Sequence, residues 1–180
     1  MIASLAGRRI DAAGVLIERF PPARADLVAE RIAAALTARR ISTLVCAAAC
    51  GADLLALDAA RRNGIAARII LPYGIEDFRR SSVADRGVRW TAAFDRIVGE
   101  VGAKDGVRNL GLDAHDPKAY SATNHAILDE GLILAGNDRA GVVALVVWDG
   151  AVDGRTDYTA DFADAASARG IEVASIPILG

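Results

Sequence analysis

Aromatic residues are scarce in this sequence, and strong net charge is missing. Phe, Trp and Tyr make up 5% of the 180 residues, and alanine supplies much of the 53% that is hydrophobic. This composition is typical of alanine-rich helices packed closely on an aliphatic sheet. The formal net charge is −2, so bulk electrostatics disfavours nucleic acid as a partner.

Cysteine is nearly absent, and with it the usual signs of a metal centre. Cys46 and Cys50 lack both a second cysteine pair and a nearby histidine that would complete a zinc site. We expect two small, buried side chains in a reducing compartment. The sequence also has no HExxH motif and no nucleophile elbow. We therefore predict neither a metal site nor a bound cofactor.

Long hydrophobic runs are also missing. No apolar stretch reaches the roughly 20 residues of a membrane span. Residues 1–7 have neither the basic start nor the apolar core of a signal peptide. We expect a cytoplasmic protein with no membrane association. A length of 180 residues predicts one domain over residues 1–180.

What the chain does contain is an alternation of short apolar runs with helical patterns. The predicted strands are residues 2–6, 42–47, 65–71, 140–148 and 171–176. The predicted helices are residues 27–40, 52–62, 85–97, 118–134 and 159–169. The run GVVALVV, in the fourth strand, is apolar on both faces, as a central parallel strand must be. This order predicts a Rossmann-like, doubly wound parallel sheet flanked by helices.

Three further segments have weaker patterns. Residues 75–83 are predicted as a polar loop with an arginine pair, and residues 97–101 as a short strand. Residues 102–117 carry several glycines and aspartates, which predicts a loop insertion.

The stretch VCAAACGADLLALDAARRNG, residues 45–64, joins a predicted strand to a predicted helix through small residues. Gly51 can adopt a positive φ angle or admit a close backbone approach. The helix that starts there offers N–H groups and a positive dipole end to an anion. Asp53 either caps this helix or accepts a hydrogen bond from a ribose hydroxyl, and the residues leave both readings open.

Other candidates lie where ligands of open parallel sheets bind, beyond the carboxyl ends of the strands. In the loop DGAVDGRTD, Gly154 and Thr156 can donate to a phosphate; the alternative is an ordinary loop with Thr156 or Asp157 as helix N-cap. Arginines follow two strands and could bind a phosphate bidentately. Position favours Arg8 and Arg9 over the pair at residues 79 and 80.

Several motifs together resemble one protein group. LVCAAACGADLLALDAARRNGIAARIILP resembles the strand, glycine turn, helix and strand of DprA/Smf-type proteins, SGxAxGxDxxAHxxAL…xxAVL. GADLLALDAA running into ILP resembles YpsA-like proteins more closely, and AGRRID resembles their GHR or GYR opening. RWTAAFDRIV, NHAILDEGLILAG, VVALVVWDG and GRTDYTADFADAASARGIEVASI are similar to later motifs of the group, in the same order. Over nearly its whole length the chain is similar to the SLOG superfamily (SMF/DprA–LOG), a Rossmann-like group.

The resemblance implies a nucleotide or nucleotide derivative as ligand, held by the loops after the first, second and penultimate strands. It implies that Asn124 faces the pocket from its helix. The ligand-binding positions carried over from the group are Gly7, Arg8, Gly51, Asp53, Asn124, Asp149, Gly150, Gly154 and Thr156.

The chain departs from the catalytic members of the superfamily. LOG enzymes cleave the N-glycosidic bond of nucleoside monophosphates and carry PGGxGTxxE, where this chain has AACGADLLALD. Leu55 stands where their glutamate is expected. A glycosidase needs a carboxylate, which leaves Asp53 and Asp58 as candidate catalytic residues. Arg155 replaces the second glycine of the GGT loop.

Three functions follow. The first is a nucleotide-binding sensor or ligand-binding module for an ADP-ribose-like or mononucleotide ligand. The alternative is a nucleoside-monophosphate N-glycosidase that uses Asp53 or Asp58. The second alternative is DprA-like binding of single-stranded DNA, which ranks lower because the charge is near neutral and few aromatics are available for stacking. The alanine-rich helices and the resemblance are compatible with a homodimer.

Overall fold

A computed structural model describes residues 1–150 and 157–179, which form a three-layer α/β/α structure around one parallel sheet. The strands are β1 (Ile2–Gly7), β2 (Thr43–Cys46), β3 (Ala66–Leu71), β4 (Val107–Asn109), β5 (Val142–Trp148) and β6 (Glu172–Pro177). The helices are α1 (Ala25–Ala38), α2 (Ala52–Arg62), α3 (Ile75–Ser82), α4 (Val88–Gly102), α5 (Ala119–Leu134) and α6 (Tyr158–Ala168).

All strands are parallel, in the order β4-β3-β2-β1-β5-β6. The chain builds outward from β1 through β2, β3 and β4 and then returns to the other side of β1 with β5 and β6. The strand order therefore reverses between β1 and β5, where Gly7 is in register with Val147. In such sheets the crevice beyond this reversal is the usual ligand site.

Helices cover both faces of the sheet, which confirms the predicted doubly wound fold. In β5, Val143, Leu145 and Val147 pack in the cluster that contains the buried faces of α1, α2 and α4. The alternate side chains, Val142, Ala144 and Val146, pack against α5 and α6. Because both faces of β5 are buried, its uninterrupted apolar sequence is explained.

Two local predictions were wrong. The segment predicted as a polar loop is helix α3, whose only buried side chains are Phe78 and Ser82, one turn apart. The helix has only eight residues, six of them polar or charged, so its amphipathic pattern is too short to be distinguished from a polar loop. The strand predicted at residues 97–101 belongs to α4, where Ile97, Val98 and Val101 line one helical face.

The segment predicted as a loop insertion also contains an element of the sheet. Residues 107–109 form β4, an edge strand in which Val107 pairs with Ile69 and Asn109 with Leu71. Two of its three residues are exposed. Because an exposed edge needs no hydrophobic alternation, tertiary pairing with β3 decides this strand.

Candidate functional site

A cavity of about 460 Å³ lies at the carboxyl end of the sheet, beside the strand-order reversal; no residue of β5 lines it, but the start of α6, the helix after β5, does. Gly7 and Arg8 line it from the end of β1, Ala47 and Ala49 from the loop after β2, and Asp53 from the first turn of α2. The N-terminal turns of α5 and α6 contribute further side chains, described below. Its volume falls within the range of small-molecule sites, roughly 300–1,000 Å³.

Asp53 places a buried carboxyl in the wall of this cavity. The residue is 6% exposed, and one carboxyl oxygen accepts a hydrogen bond from the backbone N–H of Ala49 at 3.1 Å. Burial raises the pKa of Asp53 to about 7, although the Ala49 hydrogen bond opposes this shift. The carboxyl therefore exchanges a proton near neutral pH, and it can both donate and accept hydrogen bonds in the cavity.

The glycine at position 51 is required by close contacts with the chain's own backbone. Its φ of 110° lies in a region that favours glycine. A Cβ atom there would lie 2.6 Å from the Ile10 nitrogen and 2.7 Å from the Arg8 carbonyl oxygen. Residues 8–10 thus occupy the space that the missing side chain opens. The small residue admits the loop after β1, which in turn reaches the cavity.

The N-terminus of α2, predicted as an anion site, is also largely used by the chain. The Ala52 N–H donates to the Arg8 carbonyl at 3.1 Å, and the Leu54 N–H donates to the Ala49 carbonyl at 3.3 Å. Gly7 has a similar packing role, because a Cβ atom there would lie 2.5 Å from the Ala52 Cβ. The close approach of β1, α2 and their loops therefore explains both glycines without a ligand.

Arg8 joins an ion-pair cluster at the edge of the cavity with Arg19, Asp149 and Asp157. Arg8 lies 3.1 Å from Asp149 and 2.6 Å from Asp157, and Arg19 lies 3.0 Å from Asp149. Burial alone would raise the pKa of Asp149, but hydrogen bonds and charge from Arg19 and Arg8 lower it. The two arginines and two aspartates of this cluster have no net charge. Their ion pairs join the loops after β1 and β5 to the start of α6.

Asp157 is also the N-cap of α6. Its carboxylate accepts hydrogen bonds from the N–H groups of Thr159 and Ala160 at 3.0 and 3.1 Å. An N-cap at Asp157 was the alternative that the sequence offered to a phosphate site in this loop. It places a protein carboxylate at a helix end where a phosphate was one of the predicted occupants.

Arg9 and Asn124 both line the cavity, and the side chain of each hydrogen-bonds to other residues of the protein. Arg9 pairs with Asp85 and donates to the Cys50 sulfur at 3.4 Å. Asn124 is 7% exposed and donates to the Tyr158 carbonyl at 2.7 Å and to Asp161 at 3.0 Å. Asn124 therefore fastens α5 to α6 beside the cavity.

Some predicted site residues lie elsewhere. Asp58 lies on the outer part of α2, where Arg61, Arg62 and Arg96 pair with it at 2.9–3.2 Å. Leu55 lines a second cavity, between α2 and α4. Gly150 follows β5 with a φ of 78°. Gly154 and Thr156 fall outside the described residues.

Among the side chains that line the cavity and that the sequence did not single out are Arg19, Tyr120 and Tyr158. Arg19 follows an exposed loop with no motif, so nothing local marks it. Tyr120 and Tyr158 lie at the starts of two helices that are distant in sequence. The sequence shows that tyrosine is rare, but not that Tyr120 and Tyr158 lie next to each other in the folded chain.

Within residues 1–150 and 157–179, no group of three or more histidine, cysteine, aspartate or glutamate side chains could hold a metal ion. No helix in the same part of the chain is long and apolar enough to cross a membrane.

Comparison with known proteins bears on the fold. No protein-family model matches the chain, and no curated protein matches it. Among solved structures, the X-ray structure of DNA processing protein A (DprA) from Streptococcus pneumoniae matches with a TM-score of 0.57 and 18% identity. The chain has a DprA-like fold.

The match covers 98% of this chain and 50% of the DprA chain, so this chain spans about half of that protein's length. At 18% identity the likeness shows the fold alone. It supports the Rossmann-like architecture predicted from the sequence. It lends no support to the expectation that nucleic acid is disfavoured as a partner, because the matched protein is named for DNA processing.

Proposed function

We propose that this chain is a SLOG-type module that binds a nucleotide or nucleotide derivative in the cavity at the carboxyl ends of β1 and β2, and that it acts as a sensor or ligand-binding domain. The observation that carries the proposal is the Asp53 carboxyl, buried in the wall of a 460 Å³ cavity at the carboxyl end of the sheet. A buried carboxyl costs stability unless it is paired. Its position in a cavity wall therefore favours a ligand role.

Asp53 supplies the polar contact that a ribose needs. As a carboxylate it accepts hydrogen bonds from vicinal hydroxyl groups, and as an acid it donates one. Ala47, Ala49 and Ile127 surround the same space with apolar surface. A few polar groups in an otherwise apolar wall are typical of small-molecule sites.

The ion-pair cluster disfavours direct contact of a ligand phosphate with Arg8 or Asp149. Both arginines of the cluster already face two carboxylates at 2.6–3.5 Å. A phosphate placed there would have to displace an aspartate from its partners. We therefore assign the phosphate to Gly150, Gly154 and Thr156, as the family resemblance implies, with the ribosyl part in the cavity at Asp53.

Calorimetric titration with AMP, ADP-ribose and NAD tests this proposal. The Asp53→Asn variant keeps the shape but cannot ionise, and we expect it to weaken binding at least tenfold. The matched control is Asp58→Asn, on the same helix but paired with surface arginines, and we expect it to bind as the wild type does. If neither wild type nor control binds any of these ligands at millimolar concentration, the proposal is wrong.

One observation favours a second candidate, the N-glycosidase. A carboxyl group with a pKa of about 7 is suited to give or take a proton at neutral pH. Incubation with AMP followed by chromatography for free adenine tests this activity, and Asp53→Asn should abolish any release. Binding of AMP without release of adenine would leave the ligand-binding module as the function.

DNA binding of the DprA type rests on the fold likeness alone. Retention on single-stranded DNA that weakens steeply as salt rises would support it. Nucleotide binding that single-stranded DNA does not displace would argue against a shared site.

A further inference from the structure

The chain places three of its few aromatic side chains at the cavity: Phe78, which is buried, and two tyrosines. It has nine aromatic residues in all, and all four phenylalanines are buried, as is Tyr73. Tyr120, at the start of α5, and Tyr158, at the start of α6, are only half-buried and line the cavity. Their ring centroids lie 5.2 Å apart at an angle of 46°.

Both phenol hydroxyl groups hydrogen-bond to other residues of the protein. The Tyr120 hydroxyl lies 2.8 Å from the Tyr73 hydroxyl and 3.1 Å from the Ser82 hydroxyl. The Tyr158 hydroxyl donates to the Pro117 carbonyl at 3.3 Å. Since the polar end of each side chain is bound to the protein, the ring is what each can offer to a ligand. Both rings are also oriented before a ligand arrives, which lowers the entropic cost of binding.

We propose that Tyr120 and Tyr158 form an aromatic wall that contacts a planar ring of the ligand, so that the cavity selects base-bearing ligands over bare sugar phosphates. This inference rests on the proposed function and names the part of the ligand that gives specificity. Asp53 lies in the same cavity but on α2, so sugar and base contacts come from different helices. Aromatic rings prefer offset-stacked or edge-to-face contacts, and a tilted pair presents both a face and an edge.

The test compares AMP with ribose 5-phosphate, which lacks the base, by calorimetric titration. We expect the wild type to bind AMP roughly 5- to 100-fold more tightly, as stacking of one base on an aromatic ring provides. Tyr120→Leu and Tyr158→Leu should each reduce this preference, measured as the ratio of the two affinities, severalfold. Tyr120→Phe keeps the ring and should retain the preference.

The matched control is Ile133→Ala, which shortens an exposed apolar side chain near the other end of α5. It should change neither affinity. Equal wild-type affinity for the two ligands, or a preference that survives both leucine variants, would overturn the aromatic wall while leaving nucleotide binding intact. Failure of the wild type to bind either ligand would instead overturn the proposed function. If Tyr120→Leu does not fold, Tyr158→Leu and Tyr120→Phe still decide the question.

Discussion

Replacement of Asp53 by asparagine should stabilise the protein at neutral pH, and the gain should grow as pH rises. A solvated aspartate has a pKa of 3.8, whereas burial raises the pKa of Asp53 to about 7. Folding therefore takes up a proton between these two values. Because the unfolded chain has released its proton there, stability falls as pH rises through this window.

The magnitude follows from the two pKa values. The burial cost of Asp53 is near zero below pH 3.8, about 1.5 kcal/mol at pH 5 and about 4 kcal/mol at pH 8. Asp53→Asn keeps an acceptor for the Ala49 N–H but cannot ionise. Any fixed penalty for burying the amide is the same at every pH. The stability of the variant relative to wild type should therefore rise by about 2–3 kcal/mol between pH 5 and pH 8.

Urea denaturation of both proteins at pH 5, 6, 7 and 8 measures this difference. The control, Asp58→Asn, removes a carboxylate whose pKa is lowered: burial opposes the shift, but hydrogen bonds from Arg61 and Arg96 outweigh it. The Asp58 contribution is lost only as pH falls toward the acid range, so this control should be flat from pH 5 to 8. A flat result for Asp53→Asn as well would refute the reasoning, because it would mean that Asp53 is ionised throughout.

Two structural substitutions test how the cavity is built. Gly51→Ala should destabilise the chain by about 3 kcal/mol or more, since it adds a strained positive φ to contacts of 2.6 and 2.7 Å with backbone atoms of Ile10 and Arg8. Equal melting temperatures for Gly51→Ala and wild type would contradict the close approach. Asp157→Ala should cost about 2–4 kcal/mol, because it removes the cap of α6 and one partner of two part-buried arginines. Its loss should be larger than that of Asp77→Ala, whose exposed pair with Arg80 is a matched control; an equal loss would mean that the cluster contributes little.

Much of the fold could be predicted because its periodicities are strong. Helix α2 was predicted with its observed bounds, Ala52–Arg62, since a glycine and an Asn-Gly pair mark its two ends. Helix α3 and strand β4 could not be, because α3 has only eight, mostly polar residues and β4 only three, two of them exposed. Their positions depend on Phe78 entering the core and on pairing between β4 and β3.

The candidate site, too, could be predicted only in part. Gly7, Arg8 and Asp53 were placed at one edge of the sheet because parallel strands all end there, and all three line the cavity. What these residues contact could not be predicted. The anion sites expected at the N-termini of α2 and α6 face backbone carbonyls and the Asp157 carboxylate. The Asp157 cap is local, and the sequence offered it as an alternative, but the ion pair between Arg8 and Asp157 spans 149 positions, and no local pattern reports it.

The sequence by itself determined the fold class and the edge of the sheet at which the candidate site lies. Both depend on periodicity and on the ends of strands, which are local properties of the chain. Only the tertiary structure decided that Gly51 admits residues 8–10, that Arg8 is neutralised by two aspartates, and that two tyrosines meet at the cavity. Each of these depends on distances between segments far apart in sequence, and those distances are set by how the helices pack on the two faces of the sheet.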